Sequence, residues 1–434
     1  MLAALKGFPH LARFIKRHRN RVLTEVVTPR MAFAHSIEHR QFVGRAAVAV
    51  VAAELALMFV GPVLPTPLYP LYQQRFGFSN VVLTLIYAVY VVGNLAALLL
   101  FGRLSDQVGR RTVSLPAVGF GVVSVLVFLF AQDITSLFVA RLVSGFATGL
   151  ASGTATAWIA ELPASGGKAA TGRIASAANF IGLAIGPLVA GLLAAFAPWP
   201  LHLSFVLYLV VLLAIGGAIL FTPETVGQPV RRAGELSLKP RLGVPAKIRL
   251  QFVSPAVTAF AVFALIGFYA ALLPNLLAQS LHQKSPAVSG AVVFGLFAIS
   301  AACVWLTARF TSRTATFASL GLLLPSVWLL VAAELAHSMT LLICATAVAG
   351  LAAALGYRGS LEEVSRIAPA EQRSEVVSSY LIAVYGGNSV PVIGIGLLAA
   401  ITSSTTAHIA FAAVITVLAG IALVVGFKAP ASAT

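Results

Sequence analysis

Twelve times between residues 46 and 427 the chain runs for about 20 residues with scarcely a charge, the length a helix needs to cross a hydrocarbon core. The runs lie near 46–67, 80–101, 113–131, 135–159, 172–196 and 201–221, then 253–275, 286–308, 314–335, 339–357, 375–399 and 405–427. Only 10% of the side chains are charged, against about 25% in a soluble domain, too few to cover a water-facing surface. The alternating ten-residue strands of a membrane barrel are missing. The expected fold is an all-α integral membrane protein with twelve transmembrane helices.

A net charge of +16 raises the question of nucleic acid, and its distribution answers it. With the N-terminus placed in the cytoplasm, 26 of the 29 Lys and Arg fall on that side, Arg75 and Lys284 fall outside, and Arg141 falls within a span. That asymmetry is the positive-inside rule, and it places both termini in the cytoplasm. The basic excess therefore orients the chain. Its expected partner is anionic lipid of the cytoplasmic leaflet, not nucleic acid. Residues 1–45, with KRHRNR at 16–21, lack a signal-peptide core and read as a basic tail on the membrane surface. Met31 is an alternative start, and a cleaved targeting segment is a third reading. Cys303 and Cys344 sit in apolar runs and read as small buried hydrophobes.

The longest polar interval, 222–252, carries Arg231, Arg232, Lys239, Arg241, Lys247 and Arg249 among prolines. It reads as a cytoplasmic linker between a six-helix half at 46–221 and another at 253–427, followed by a short tail at 428–434. Two six-helix halves are a layout of secondary transporters that rock about a central site. SGGKAAT at 165–171 lacks the first glycine of a phosphate cradle, and no HExxH or cysteine cluster occurs. The chain shows no parts for ATP hydrolysis or metal chemistry. The expectation is thus no enzyme, no metal and no organic cofactor, with an ion gradient as the energy source.

Between the second and third runs lies FGRLSDQVGRR, 101–111. Gly102 permits close approach of a neighbouring backbone, Gly109 permits a tight turn, and Asp106 is placed to pair with Arg110 or Arg111. Glu161, at the cytoplasmic end of span four, can join that cluster. A charge cluster of this kind is a conformational latch if one transport state keeps it and the other breaks it. The stretch resembles the loop signature of the major facilitator superfamily through Gly102, Leu104, Asp106, Gly109, Arg110 and Arg111. The resemblance implies two pseudo-symmetric six-helix halves. The corresponding second-half loop, ARFTSRTA at 308–315, keeps Arg309 and Arg313 without an acid or glycine, so a latch is expected in the first half only.

Three further features resemble the twelve-span drug:proton antiporter branch of that superfamily. NFIGLAIGPLVAG, 179–191, matches the branch's fifth-span pattern at Gly182, Gly186, Pro187 and Gly191, with Ala190 in place of one glycine. PVLP at 62–65 closes span one. LFVARLVSGFATG at 137–149 places Arg141 and Gly145 in span four. Burying an arginine costs at least roughly 2.5–3.5 kcal/mol, so Arg141 should face a polar cavity or a partner. Glu54, in span one, is the acid nearest a span centre, and an acid that gains and loses a proton between states can carry the coupling ion. Proton coupling is assigned to Glu54 and Arg141, the acid and the arginine placed within spans. Other acids persuade less: Glu334 and Asp133 fall at external ends, and Glu362, Glu363, Glu371 and Glu375 fall in a solvated loop helix among Arg358, Arg366 and Arg373.

Tyr87, Tyr90, Asn94, Asn179, Tyr269, Asn275, Tyr380, Tyr385 and Asn388 are the candidate cavity residues. Together they outline an aromatic, lightly polar site that suits a lipophilic molecule better than a sugar. The resulting expectation is a monomeric transporter of the bacterial inner (plasma) membrane, exporting a small organic molecule or drug against protons. The alternatives are a proton-coupled symporter importing an organic anion, and a transporter-like sensor or scaffold that moves nothing.

Overall fold

In hydrocarbon every backbone amide and carbonyl must find its partner within the protein, which leaves long apolar runs the choice of helix or closed barrel. The computed structural model describes residues 42–227, 230, 242–307 and 309–428, and no strand occurs among them. KRHRNR, Met31, Arg231, Arg232, Lys239, Arg241 and the last six residues lie outside the described residues. Twelve of the described helices are long and apolar enough to cross a membrane.

The first half contains α1 (Arg45–Val63), α2 (Asn80–Phe101), α3 (Arg110–Leu129), α4 (Ile134–Glu161), α5 (Lys168–Phe196) and α6 (Leu203–Leu220). The second contains α7 (Arg249–Ala271), α8 (Pro286–Leu306), α9 (Ser312–Leu335), α10 (Met339–Ile367), α11 (Arg373–Ile401) and α12 (Ser404–Lys428). Side-chain oxygens of Ser79, Asp133, Thr311 and Ser338 cap α2, α4, α9 and α10, accepting from amides of the first turn.

The helix ends depart from the apolar runs for local reasons. α1 stops at Val63 ahead of Pro65 and Pro67, which carry no amide hydrogen, and a short helix follows at Tyr69–Phe76. α7 ends at Ala271, and the chain restarts as Leu273–Gln279 with Pro274 in its first turn. α10 continues to Ile367, so Glu362 and Glu363 belong to a spanning helix and not to a loop. Cys344, expected to be buried, lies on the exposed outer surface of α10, whereas Cys303 is buried.

Each half has its own apolar core, and Tyr87, Phe180 and Ala184 of the first half join the core of the second. The halves meet chiefly along α5 against α8 and α2 against α11, pairs related by the six-helix repeat. We call the face bearing residues 102–111 the basic face. The opposite face is sealed across the halves. There Thr66 Oγ1 donates to the Ala270 carbonyl (2.9 Å) and Asn275 Nδ2 to Asn80 Oδ1 (2.8 Å). Gly191 and Gly290 lie against each other there, each without room for a methyl group. Towards the basic face a cavity of roughly 670 Å³ lies between α5 of the first half and α8, α10 and α11 of the second.

Candidate functional site

The end of α1 organises the centre of the molecule. Its last carbonyls lose intrahelical donors where the prolines begin, and the carbonyl of Pro62 is taken by Arg141 Nη1 from α4. Arg141 Nη2 donates to the Tyr87 carbonyl (3.2 Å) and Nε more weakly to that of Ile86 (3.4 Å). The rings of Tyr87 and Tyr90 flank the guanidinium, with centroids 5.2 and 4.9 Å away. Arg141 is 0% exposed to solvent, so carbonyl dipoles and ring faces replace its hydration. Its neighbour Gly145 packs α4 directly on the Tyr90 carbonyl of α2, where a methyl group would collide.

Arg141 lines a cavity of about 80 Å³ between the halves. Of the expected residues, Tyr87, Tyr90, Asn179, Tyr385 and Asn388 line it. Tyr87 Oη donates to Asn388 Oδ1 (3.0 Å), linking α2 to α11, and Asn179 Oδ1 is buried without a partner. Asn94 stands behind Tyr90, donating from Nδ2 to its hydroxyl (2.8 Å). The other three are corrected. Tyr269 is enclosed in the second half against Thr346 (3.1 Å), and Tyr380 bonds Ser360 of α10 (2.8 Å). Asn275 belongs to the seal at the opposite face. The pattern reading missed Tyr357, Phe180, Phe263 and Phe297, which bring the aromatic residues to eight of the eighteen that line it. A space of about 80 Å³ holds a few waters and falls well short of the roughly 300–1,000 Å³ of ligand sites, so the centre is contracted in this conformation.

Glu54 does not line this cavity. It lies two turns before Pro62 on α1, 0% exposed, turned into the first half with the Ser114 hydroxyl of α3 beside it. Neither carboxyl oxygen, nor that hydroxyl, makes a hydrogen bond of normal geometry. Glu54 and Arg141 therefore form no pair. The Gly182 to Gly191 stretch connects their surroundings. Gly182 presses α5 on the Ala56 carbonyl, Gly186 sits 2.9 Å in Cβ terms from that of Val60, and Gly191 meets Pro286 of α8. Pro187 lies inside α5, its carbonyl facing Gly290.

At the basic face, Arg110 joins Asp106, Ser105 (2.7 Å) and Glu161. The contact to Glu161 is bidentate, at 2.5 and 3.1 Å. Arg111 points elsewhere, donating to the Leu220 carbonyl at the end of α6 (3.1 Å). Glu224, unnoticed in the basic linker, accepts from the amides of Arg110 and Arg111 (2.7 and 3.0 Å) and so caps α3. Gly109 has φ +113°, and a side chain there would meet the Glu224 carboxylate. Gly102 is corrected: it ends α2, with no neighbouring helix against it, and its nearest atom is the Leu98 carbonyl of its own helix. The whole cluster belongs to the first half. Arg103 Nη2, bonded to Ser374 Oγ (2.6 Å), is what crosses to α11 at this face.

A second buried acid lies near the opposite face. Glu334 is 2% exposed and accepts from Thr405 (2.9 Å) and Ser280 (3.2 Å), while its other oxygen bonds His408 Nδ1 (2.7 Å). Its expected place at a helix end was right, but its enclosure was not legible.

Twelve spanning helices in two repeated halves, with a contracted cavity where the halves meet, define the class of secondary transporters. The chain belongs to the Major Facilitator Superfamily, whose family profile matches residues 46–391. It is therefore a transporter and not an enzyme. Over 126 residues it is 32% identical to the MFS-type transporter paaT of Penicillium rubens, covering 29% of this chain and 23% of that one. Over 108 residues it is 29% identical to sugar transporter ERD6-like 6 of Arabidopsis thaliana, covering 25% and 21%. Over 140 residues it is 27% identical to quinolone resistance protein NorA of Staphylococcus aureus, covering 32% and 36%. The chain thus matches between about a fifth and a third of the length of these relatives. The peptide transporter POT, in complex with sulfate, superimposes with a TM-score of 0.69 at 14% identity, over 88% of this chain and 94% of that one.

Proposed function

We propose that the chain exports a small lipophilic organic molecule in exchange for protons, by alternating access. Glu54 carries this reading. It is enclosed among first-half helices without a hydrogen-bond partner, and an unpaired charge there costs several kcal/mol. A carboxyl that holds a proton in one conformation and loses it in the other ties proton movement to the cycle. The connection to the cavity runs along α1: Phe59, Pro62 and Val63 line the cavity, the contact of Gly182 at Ala56 falls between them and Glu54, and Gly186 touches Val60 and Val63. Displacing α1 against α5 therefore alters both places together.

The aromatic lining suits a lipophilic cargo, and the partial likeness to a quinolone resistance protein supports a small organic molecule. With the basic face in the cytoplasm and the termini there too, the present conformation is the one that loads from inside. Purified protein in lipid vesicles tests direction and coupling. An acid interior drives uptake by an antiporter, whereas an acid exterior drives uptake by a symporter. Accumulation under the second gradient alone rejects export by exchange.

A further inference from the structure

Arginines dominate the charges along the route between the halves. Arg141 is the one charged residue among the described residues lining the central cavity. Carbonyls and ring faces surround it, no carboxylate pairs with it, and its guanidinium retains N–H donors for a ligand. The larger cavity begins one turn away, since Arg358 follows Tyr357 and Ser176 precedes Phe180 on α5. Arg173, Arg358, Arg366 and Arg373 line that mouth, with Glu362 as the acid among them. Arg358 donates to the Phe310 carbonyl (2.9 Å) while its buried Nε has no partner. The Arg173 guanidinium lies over the Trp305 ring at 5.8 Å, and Arg366 pairs with Glu363 at 2.6 Å. Val304, Phe310 and Leu361 add apolar wall to the same space.

We infer that the cargo is an amphiphile with an anionic head, such as a lipophilic carboxylate, drawn in by the arginine-lined mouth and held beside Arg141. This rests on the transport reading above and names the substrate class of the same site. A cation entering the centre meets an unneutralised guanidinium in a low-dielectric enclosure. An anion gains a charge-assisted hydrogen bond there, and its apolar body meets the aromatic lining. An anionic lipid headgroup shares this chemistry at the mouth, and the binding test below separates the two sources.

Equilibrium dialysis of the purified full-length protein with radiolabelled 4-phenylbutyrate and size-matched 4-phenylbutylammonium tests the inference. The acid is expected to bind at least about tenfold more tightly than the amine, a difference that such assays resolve readily. Arg141→Gln should abolish the preference, and the doubly substituted Arg173→Gln/Arg373→Gln protein should weaken binding of the acid and reduce its salt sensitivity. The double variant keeps the test alive if Arg141→Gln does not fold. Equal or tighter binding of the amine, binding of neither, or indifference of acid binding to both sets of substitutions overturns the inference. Binding of phosphatidylglycerol alone, lost in the mouth variant, overturns it too and assigns the mouth to lipid. Failure of the transport reading looks different: the acid preference persists while flux ignores an imposed pH gradient.

Discussion

Each half encloses one acid, and the two are held in opposite ways. Glu334 in the second half has His408, Thr405 and Ser280 around its oxygens, whereas Glu54 in the first half has no bonded partner. A satisfied carboxylate joins helices; an unsatisfied one is free to change its proton without dismantling anything. The basic face repeats the lesson. Arg111 and Arg313 do the same work in both halves, each donating to a carbonyl at the end of its last helix, Leu220 at 3.1 Å and Gly426 at 3.0 Å. Beside them the halves part: Arg110 grips Asp106 and Glu161, but Ser312 makes a single 2.9 Å bond to Glu363. The packing frame is repeated and the ionic chemistry is not. Because the Arg110 cluster lies within one half, it stiffens that half, and any latching of the halves passes through contacts such as Arg103 to Ser374.

The largest expected effect comes from the satisfied acid. Glu334→Ala leaves His408, Thr405 and Ser280 facing each other without an acceptor, a loss of about 3–5 kcal/mol in denaturant unfolding. A neutral outcome would erase the contrast with Glu54. Next comes Arg110→Ala, expected to cost about 2–3 kcal/mol, less than a fully buried pair because Asp106 and Glu161 reach solvent. Ser312→Ala at the matching place should cost about 1 kcal/mol. Similar losses at both places would mean that the charges add nothing to the repeated frame. Of similar size, Gly182→Ala drives a methyl group into the Ala56 carbonyl and should cost about 1–3 kcal/mol. Gly153→Ala, with open space around it, should be neutral or stabilising by up to about 1 kcal/mol.

The smallest effect compares the caps of α4 and α10. Hydrogen bonds from the Ser136 hydroxyl and amide hold the Asp133 carboxyl below the usual carboxylate range, whereas Ser338 does not titrate. The Asp133 contribution is present above its unfolded value of about 3.9 and is lost as pH falls through the lower folded value. Asp133→Asn should remove that acid-side dependence from unfolding curves, and an unchanged curve would show that the cap adds nothing measurable.

The twelve spans were legible because lipid demands long apolar helices, and FGRLSDQVGRR pointed to the superfamily. Helix facing was harder to read. Helices apolar all round give no stripe to mark the inner side, so Tyr269 and Tyr380 read as cavity residues as readily as Tyr87 and Tyr385 did. Tyr357 was overlooked because it ends an apolar run that continues as helix to Ile367. Glu224 was hidden in a linker whose basic residues dominated the reading, and its role depends on α3 beginning beside it. His408 carried no pattern of its own; its meaning comes from Glu334 on another helix.

The central claim is that Glu54, the unsatisfied acid, carries the coupling proton. Calorimetry of 4-phenylbutyrate binding in buffers of different ionisation enthalpy counts protons exchanged on binding, for the wild-type protein and for Glu54→Gln. The account predicts net proton release that depends on pH in the wild type and disappears in the variant, with the fold intact. Equal proton release in both proteins would contradict it.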